Sequence, residues 1–529
     1  MRGRGAGGAD ALDDERRRGR HRHLLGVRAP HPVVAREPAG PPLPQRPQHL
    51  LLQRVEPAAR PLLPRHGEVV AVDDLAAQRP RQPPGERRLA RPGGPVHRHQ
   101  ADQAARGRQA PDAGGQRIHG PRVGDGGAAT ERMFSHPDAS RRLTVLGPLG
   151  DIVVLDLSRA LAGPHAAQML GDLGARVIKV EHPDGGDESR GWGPPFVGPD
   201  HEISTYFLAA NRNKQSIALD LKSAAGKAVI ERLVRQSDVL VENFRPGVLD
   251  RLGFSVERLH ELNPRLVVLS ITGFGHDGPE GGRPGYDQIA QGEAGLMSLT
   301  GPSPEEPYRV GASIADLLAG IHGAYGVAAA LYEREHTGKG RVVRTSLLAA
   351  VTGVHSYHGT AWTVGGQVSR AAGNHHASIT PYGSFRCGDG MLQIAAANDG
   401  QWRKVAVLLG IDPDAPRYRT NRDRRAHREE LVAEMEKALS AHDRAHWLAE
   451  LGAAGVPAGA IRSIDEVYTW EQTRSQGLVV EVDHPVLGRV ELPGPPLRFD
   501  GLPAREHTAP PMLGQDGEAV LAWLEERER

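Results

Sequence analysis

The sequence predicts an α/β protein whose large domain is built on a parallel sheet and is followed by a smaller α+β domain. Three observations carry that expectation. Apolar, β-branched runs alternate with helical stretches from Asp151 onward, the pattern of βαβ units and hence of parallel strands. A hairpin pattern breaks the alternation near Tyr382. Composition also divides the 529 residues sharply near position 132.

Residues 1–132 contain no Lys, Asn, Ser, Phe, Tyr, Trp or Cys, so all 8 Phe, 9 Tyr and 6 Trp lie beyond them. A segment dominated by Arg, Pro, Ala, Gly, Gln and His cannot bury enough apolar surface to offset chain entropy. Its arginines suggest a nucleic-acid tail, but acids are interspersed and no aromatic is present to stack on bases. Met133 is the first methionine after Met1 and stands just before the structured pattern. Residues 1–132 are therefore expected to be a disordered extension upstream of the true start, without function. The net charge of +1 gives no field that would draw nucleic acid or an anionic membrane. The single cysteine, Cys387, excludes an intramolecular disulfide framework and most structural zinc sites. No apolar run is read as a membrane span and the N-terminus lacks a secretory signal core. A soluble cytoplasmic protein is expected.

In chain order, Asp151–Leu157 reads as a buried strand, Ser158–Pro164 as a turn and His165–Leu173 as a helix ended by Gly174. Ala175–Glu181 is the next strand. This βαβ unit implies a Rossmann-like large domain. Glu181 lies where a dinucleotide fold places its ribose-binding acid, but Leu161-Ala162-Gly163-Pro164 lacks the three glycines, which argues against a nicotinamide cofactor. Asn211–Asp220 enters a strand, Ala224–Gln236 is a helix, and Asp238–Phe244 is a strand running into Arg245-Pro246-Gly247. A short helix starts at Leu249, and Leu266–Ile271 is a further strand. Lys214 with Asn211 and Asn213, Arg245 with Asn243, and Arg251 flank strand ends, where such sheets bind ligands; together they would suit a phosphorylated one.

The chain is organised around the stretch from Gly285-Tyr286-Asp287 to Asp316 and the helix that follows, Leu317 to about Arg334. Its many Ala and Gly residues predict close packing and deep burial. Asp316 reads either as a helix N-cap or as an acid presented to a ligand. Gly340–Leu347 is another strand. His355, His358, His375 and His376 lack the carboxylates and spacing of a metal site, so no metal is expected. Tyr382–Cys387 and Met391–Ala396 form the hairpin, Gln401–Leu409 is a helix, and Asn421–Leu451 reads as helical and mainly solvated. Leu478–Val482 and Gly488–Leu492 lead back as strands. The domains are placed at 133–350 for the first part of the large domain, 351–465 for the small one, and 466–529 for the return to the large one.

From about residue 148 to 500 the chain resembles the class III CoA-transferases (the CaiB/BaiF family), which include formyl-CoA:oxalate and carnitine CoA-transferases and the related acyl-CoA racemases. The resemblance is carried by Leu155-Asp156 through Ala162-Gly163-Pro164, Leu173-Gly174-Ala175 with Val177–Glu181, Asn213-Lys214, and Val241–Gly247. It continues in Gly285-Tyr286-Asp287, Asp316, and Gly455–Gly459. It implies a homodimer of interlocked rings, coenzyme A thioester as substrate rather than a permanently bound cofactor, and a small carboxylic acid as partner substrate. Asp316 matches the family's nucleophile, which forms an anhydride and then an aspartyl-CoA thioester. The matching CoA contacts fall on Leu161, His182, Asn211, Arg212, Asn213, Lys214, Asn243, Phe244, Arg245, Arg251, Tyr286 and Asp287. Leu161 and His182 stand where the formyl-CoA enzymes carry Gln and Arg, and the glycine-run loop of those enzymes is missing around Gly373–His376.

Two other functions fit the same resemblance. A racemase of this fold uses a His/Asp pair, but its His aligns with Tyr286, and a phenol with an ordinary pKa near 10 is a poor base at neutral pH. A non-catalytic CoA-binding protein would have no need of Asp316. No residue identifies the acyl donor or the acceptor acid.

Overall fold

The computed structural model describes residues 147–502 and 505–529. The expectations for residues 1–132 lie outside the described residues. Six strands form one sheet: β1 (Val153–Asp156), β2 (Arg176–Glu181), β3 (Lys214–Ala218), β4 (Val239–Glu242), β5 (Val267–Thr272) and β6 (Val342–Ser346). Every pair is parallel and the order is β3-β2-β1-β4-β5-β6. The chain starts in the middle, moves outward one way, then returns and moves outward the other way. The direction reverses between β1 and β4, which is where doubly wound sheets open a crevice at their strand ends.

Both faces of this sheet are covered, which explains its runs of buried Val, Leu and Ile. Because successive side chains point to opposite faces, neighbours in one strand join different cores. Val154 and Val241 pack with Ala166, Leu170, Ala319 and Val327. Val153, Leu155 and Leu240 pack with Ile230, Leu233 and Leu259 on the other side. Val520 and Leu524 of the Gly517–Glu528 helix also belong to this second core. That helix was not foreseen, because its apolar residues form one run, Ala519–Leu524, with no helical period to read.

Strand and helix boundaries agree with expectation to within a few residues, with two differences that matter. The first helix begins at Ala162 rather than His165. Pro164 thus sits in the first turn, where its missing N–H forfeits no intrahelical bond. The central helix runs Ile314–Thr337 rather than from Leu317, and ends on Gly338 at φ 70°. Asp316 is therefore its third residue and not its N-cap.

This helix is buried along one face only, contrary to the deep burial expected. Ala319, Gly320, Gly323 and Val327 face the core, whereas Tyr325 and Tyr332 are 75% and 72% exposed. The close approach is real at Gly320, where a Cβ would lie 2.7 Å from the Ala162 carbonyl oxygen. By length and composition the helix could also cross a membrane. The reading that no segment qualifies is corrected on that count. Its small residues are those packed on the sheet and the Ala162–Asp172 helix.

A further hydrophobic core forms around the hairpin Tyr382–Cys387/Gly390–Ala395, extended by Ala458–Ala460. Phe385, Leu392, Trp402, Leu431, Met435 and Trp447 fill it. The stretch expected as solvated helix is three helices, Asn421–Ala426, Arg428–Leu439 and Arg444–Ala453. Beneath their solvated faces Leu431, Met435, Leu439 and Leu451 are buried, as is Arg424, which donates to the carbonyls of Thr380 at 2.6 Å and Tyr418 at 2.9 Å. Strands Val479–His484 and Gly488–Pro493 pair antiparallel.

Candidate active site

At the sheet's switch point lies a cleft of about 380 Å³. Arg159 and Ala160 after β1, Asn243–Pro246 after β4, and Ile271–Gly273 at the end of β5 form one part of its wall. Pro284–Gln288, Arg309, Ser313 and Asp316 form another. Asn243 ties the β1 and β4 strand ends together: its side-chain oxygen accepts from the Arg159 N–H and its amide donates to the Arg159 carbonyl, both at 2.8 Å. At the C-terminal end of β4, buried Glu242 accepts from the Phe244 N–H at 2.9 Å and from the Ser270 hydroxyl. Burial pushes its carboxyl above the usual range.

Asp316 is half-buried and none of its carboxylate oxygens accepts a hydrogen bond among the described residues. The work of a cap is done by Asp287, one Oδ of which accepts from the Ala315 N–H at 2.8 Å and, weakly, from the Asp316 N–H at 3.4 Å. The Leu317 N–H is met by the Ser313 carbonyl at 3.0 Å. The helix start is thus satisfied without the Asp316 side chain, and the N-cap reading of that residue falls. Burial, with the Asp287 charge adding to it, pushes the Asp316 carboxyl up to about 7. A carboxylate near neutrality, deprived of donors and facing a cleft, is a strong base for a carboxylate and a candidate nucleophile.

Asp287 itself is buried and held by the fully buried Gln291, whose amide donates to its second oxygen at 2.7 Å. It starts the Asp287–Glu293 helix. Tyr286 precedes it and is 63% exposed. Of the residues named from sequence, the cleft brings together Asn243, Phe244, Arg245, Tyr286, Asp287 and Asp316.

The others lie elsewhere, and for Lys214 the expected rim cation is corrected. Its ammonium is fully buried and donates to Asp156, the Pro164 carbonyl and Asn211, at 2.9, 2.8 and 2.9 Å. Burial pulls it down to about 8 against the opposing charge of Asp156. Asn211, Arg212 and Asn213 are also buried. Arg212 is ion-paired to Asp172, and Asn213 donates to Asp172 at 2.8 Å. These four residues hold the sheet edge together because each polar atom found a protein partner on leaving water. Leu161 is buried at the start of the first helix. His182 accepts from the Asp184 N–H at 3.1 Å, and Arg251 is exposed. None of the three lines the cleft.

Reading the sequence missed several residues that do. Trp192 and Tyr206 pack edge to face at 4.9 Å, from a Gly- and Pro-rich segment with no helical or strand period. Burial holds the Tyr206 phenol above its usual range, with Asp316 adding to the shift. Arg159, Arg283 and Arg309 also face the cleft. Among the described residues no three metal-ligating side chains cluster. His376 stacks against Tyr382 at 5.1 Å while His375 meets Phe385 edge to face at 5.7 Å, so the adjacent pair diverges.

Known proteins bear directly on this cleft. Residues 149–517 match the family model of CoA-transferase family III. The chain is 39% identical over 376 residues to mouse succinyl-CoA:glutarate CoA-transferase, covering 71% of this chain and 86% of that protein. It is 40% identical to succinate–glutarate CoA-transferase of Agrobacterium fabrum, covering 72% of this chain and 97% of the relative. The crystal structure of a CAIB/BAIF family protein from Brucella suis superposes with a TM-score of 0.65 at 38% identity, covering 72% of this chain and 99% of that one. A match to the family model over most of its length, with relatives this similar, establishes that the chain belongs to CoA-transferase family III and is a CoA-transferase.

Proposed function

We propose that Asp316 is the covalent nucleophile of this transferase. One Oδ attacks the thioester carbonyl of the donor acyl-CoA, the C–S bond of the tetrahedral adduct breaks, and CoA departs as thiolate, leaving a mixed anhydride between the acyl group and Asp316. The thiolate then attacks the aspartyl carbonyl, releasing the donor acid and leaving an Asp316–CoA thioester. The acceptor carboxylate attacks that thioester to form a second anhydride. Returning thiolate takes the acceptor's acyl group and regenerates the Asp316 carboxylate. Covalent catalysis of this kind replaces one difficult exchange by easier steps.

The observation that carries this reading is a carboxylate freed from capping and raised to about 7 at the mouth of a strand-end cleft. Its elevated basicity favours attack on a thioester, provided it is ionised. Arg245 and Arg159, exposed at the strand ends, would meet the phosphates of CoA. Relatives named for succinyl-CoA make that ester the donor to try first. We further propose that the protein works as an interlocked homodimer. Support comes from large apolar side chains left exposed in the single chain, among them Tyr325, Tyr357, Trp362 and Val364.

Incubation with succinyl-CoA alone, then hydroxylamine, should convert Asp316 to a hydroxamate found by peptide mass spectrometry. Acceptor-dependent turnover with no adduct at Asp316 would overturn the mechanism. Because the attacking form is ionised, kcat/KM for the donor should rise with pH through about 7 and level off above it.

A further inference from the structure

Four arginines line the cleft, and their surroundings differ. Arg283 is already paired, at 2.6 Å with Glu293 and 3.4 Å with Glu280. Arg159 lies over the Phe244 ring at 5.6 Å, and both Arg159 and Arg245 stand on strand ends. Arg309 comes from the loop that leads into the Asp316 helix. It is exposed, and its Nη1 donates only to two carbonyls of its own loop, Val310 at 3.2 Å and Gly311 at 2.9 Å. Its Nε and Nη2 have no carboxylate partner among the described residues.

The loop that carries Arg309 is not loose. The side-chain oxygen of fully buried Gln291 accepts from the Val310 N–H at 2.8 Å. The amide of the same side chain donates to Asp287, whose other oxygen accepts from the Ala315 N–H. One buried amide therefore fixes both the cation's loop and the start of the helix bearing Asp316. A guanidinium with unused N–H groups, held in register with a carboxyl nucleophile, matches a substrate with an anionic group at the end remote from the reacting carbon.

We propose that Arg309 binds the second carboxylate of a dicarboxylic acid, making this site selective for dicarboxylic over monocarboxylic acceptors, with Gln291 as a positioning residue. This rests on the reading of Asp316 as nucleophile. In such a double-displacement reaction, kcat/KM for the acceptor reports only the second half-reaction, so any effect of Arg309 on donor loading drops out. The pair to compare is glutarate and valerate, which share a five-carbon chain and differ in the terminal carboxylate.

With succinyl-CoA as donor, the wild type should prefer glutarate, and Arg309→Gln should lower the glutarate-to-valerate ratio of kcat/KM by about 50-fold, the scale of a lost charge-assisted contact. Arg309→Lys should restore part of the ratio, because it keeps the charge but loses the fork. Gln291→Leu should lower the same ratio less than Arg309→Gln does. A ratio left unchanged in Arg309→Gln, whether both acids fall together or neither moves, overturns the assignment, as does a wild type with no preference. Trapping the succinyl-CoA adduct separates the two levels. An adduct retained with unchanged selectivity defeats Arg309 alone, whereas no adduct in the wild type defeats the nucleophile on which it rests.

Discussion

Two carboxylates near the strand ends of one sheet, Asp156 and Asp316, meet opposite environments. Asp156 is fully buried, yet it accepts from the Lys214 ammonium at 2.9 Å, from the Ser158 N–H at 3.0 Å and from the Ser158 hydroxyl. Lys179 stands 4.0 Å away and pairs with Asp187 at 2.8 Å. Burial pushes Asp156 up, but the charges of Lys214 and Lys179 outweigh it and hold the carboxyl below its usual range. Asp316 is less buried, but among the described residues its carboxylate makes no ion pair and accepts no hydrogen bond, and the charge that shifts it is that of another acid, Asp287. Burial therefore cannot by itself distinguish structure from chemistry. The distinction lies in whether the protein supplies partners or leaves the group for a substrate.

The largest effect should come from Asp316→Asn. An amide cannot form the anhydride, so transfer should fall by at least about 10³-fold. The same change should stabilise the fold. The native pKa of about 7 exceeds the ordinary value of 3.8. The native state thus holds its proton more tightly, and stability is lost as pH rises through the range between them. Asparagine escapes that loss. After discounting for partial exposure, the gain should be ~1–3 kcal/mol at pH 8 and should shrink toward pH 5, read from urea midpoints. Equal stability at both pH values would mean that Asp316 is not held near neutrality.

Lys214→Met turns the comparison over. It leaves Asp156 in the interior with one cation at 4.0 Å, and removing one partner of a buried pair costs ~3–5 kcal/mol. Adding Asp156→Asn should recover part of that loss, because the stranded charge goes too. A Lys214 variant that unfolds normally but has a raised KM for CoA esters would return this residue to the binding surface.

Why Asp316 was visible in the sequence and Lys214 was misjudged follows from the same contrast. The βαβ alternation exposes the sheet, since Val, Ile and Leu runs need burial on both faces. Asp316 stood out because one acid ends a Gly- and Pro-rich loop at a helix rich in small residues. Asn211–Lys214 looks equally polar, but its partners Asp172, Asp156 and Pro164 lie about 40 to 60 residues away, and periodicity carries no information about them. Trp192 and Tyr206 escaped for a similar reason, since the paired strands Phe196–Val197 and Ile203–Ser204 and the helix Thr205–Ala209 are too short to leave a period to read. Arg309 was missed because its value depends on Gln291, which only the folded chain places against its loop.

The smallest effect belongs to Arg251, which sequence reading grouped with Lys214 and structure separates from it. Arg251 is exposed in the Val248–Leu252 helix and makes no ion pair among the described residues. With nothing buried to strand, Arg251→Ala should leave stability within about 0.5 kcal/mol of wild type. If its charge helps to hold the phosphates of CoA, KM for the CoA ester should rise by about 2–5-fold at low salt with kcat unchanged, the pattern of a contact made equally in ground and transition states. Because the interaction is exposed, that rise should fade as ionic strength approaches about 0.5 M, where screening acts within a few ångströms. A fall in kcat at constant KM would remove Arg251 from the CoA-binding surface, and a salt-independent rise in KM would show that its contact is not an exposed charge pair.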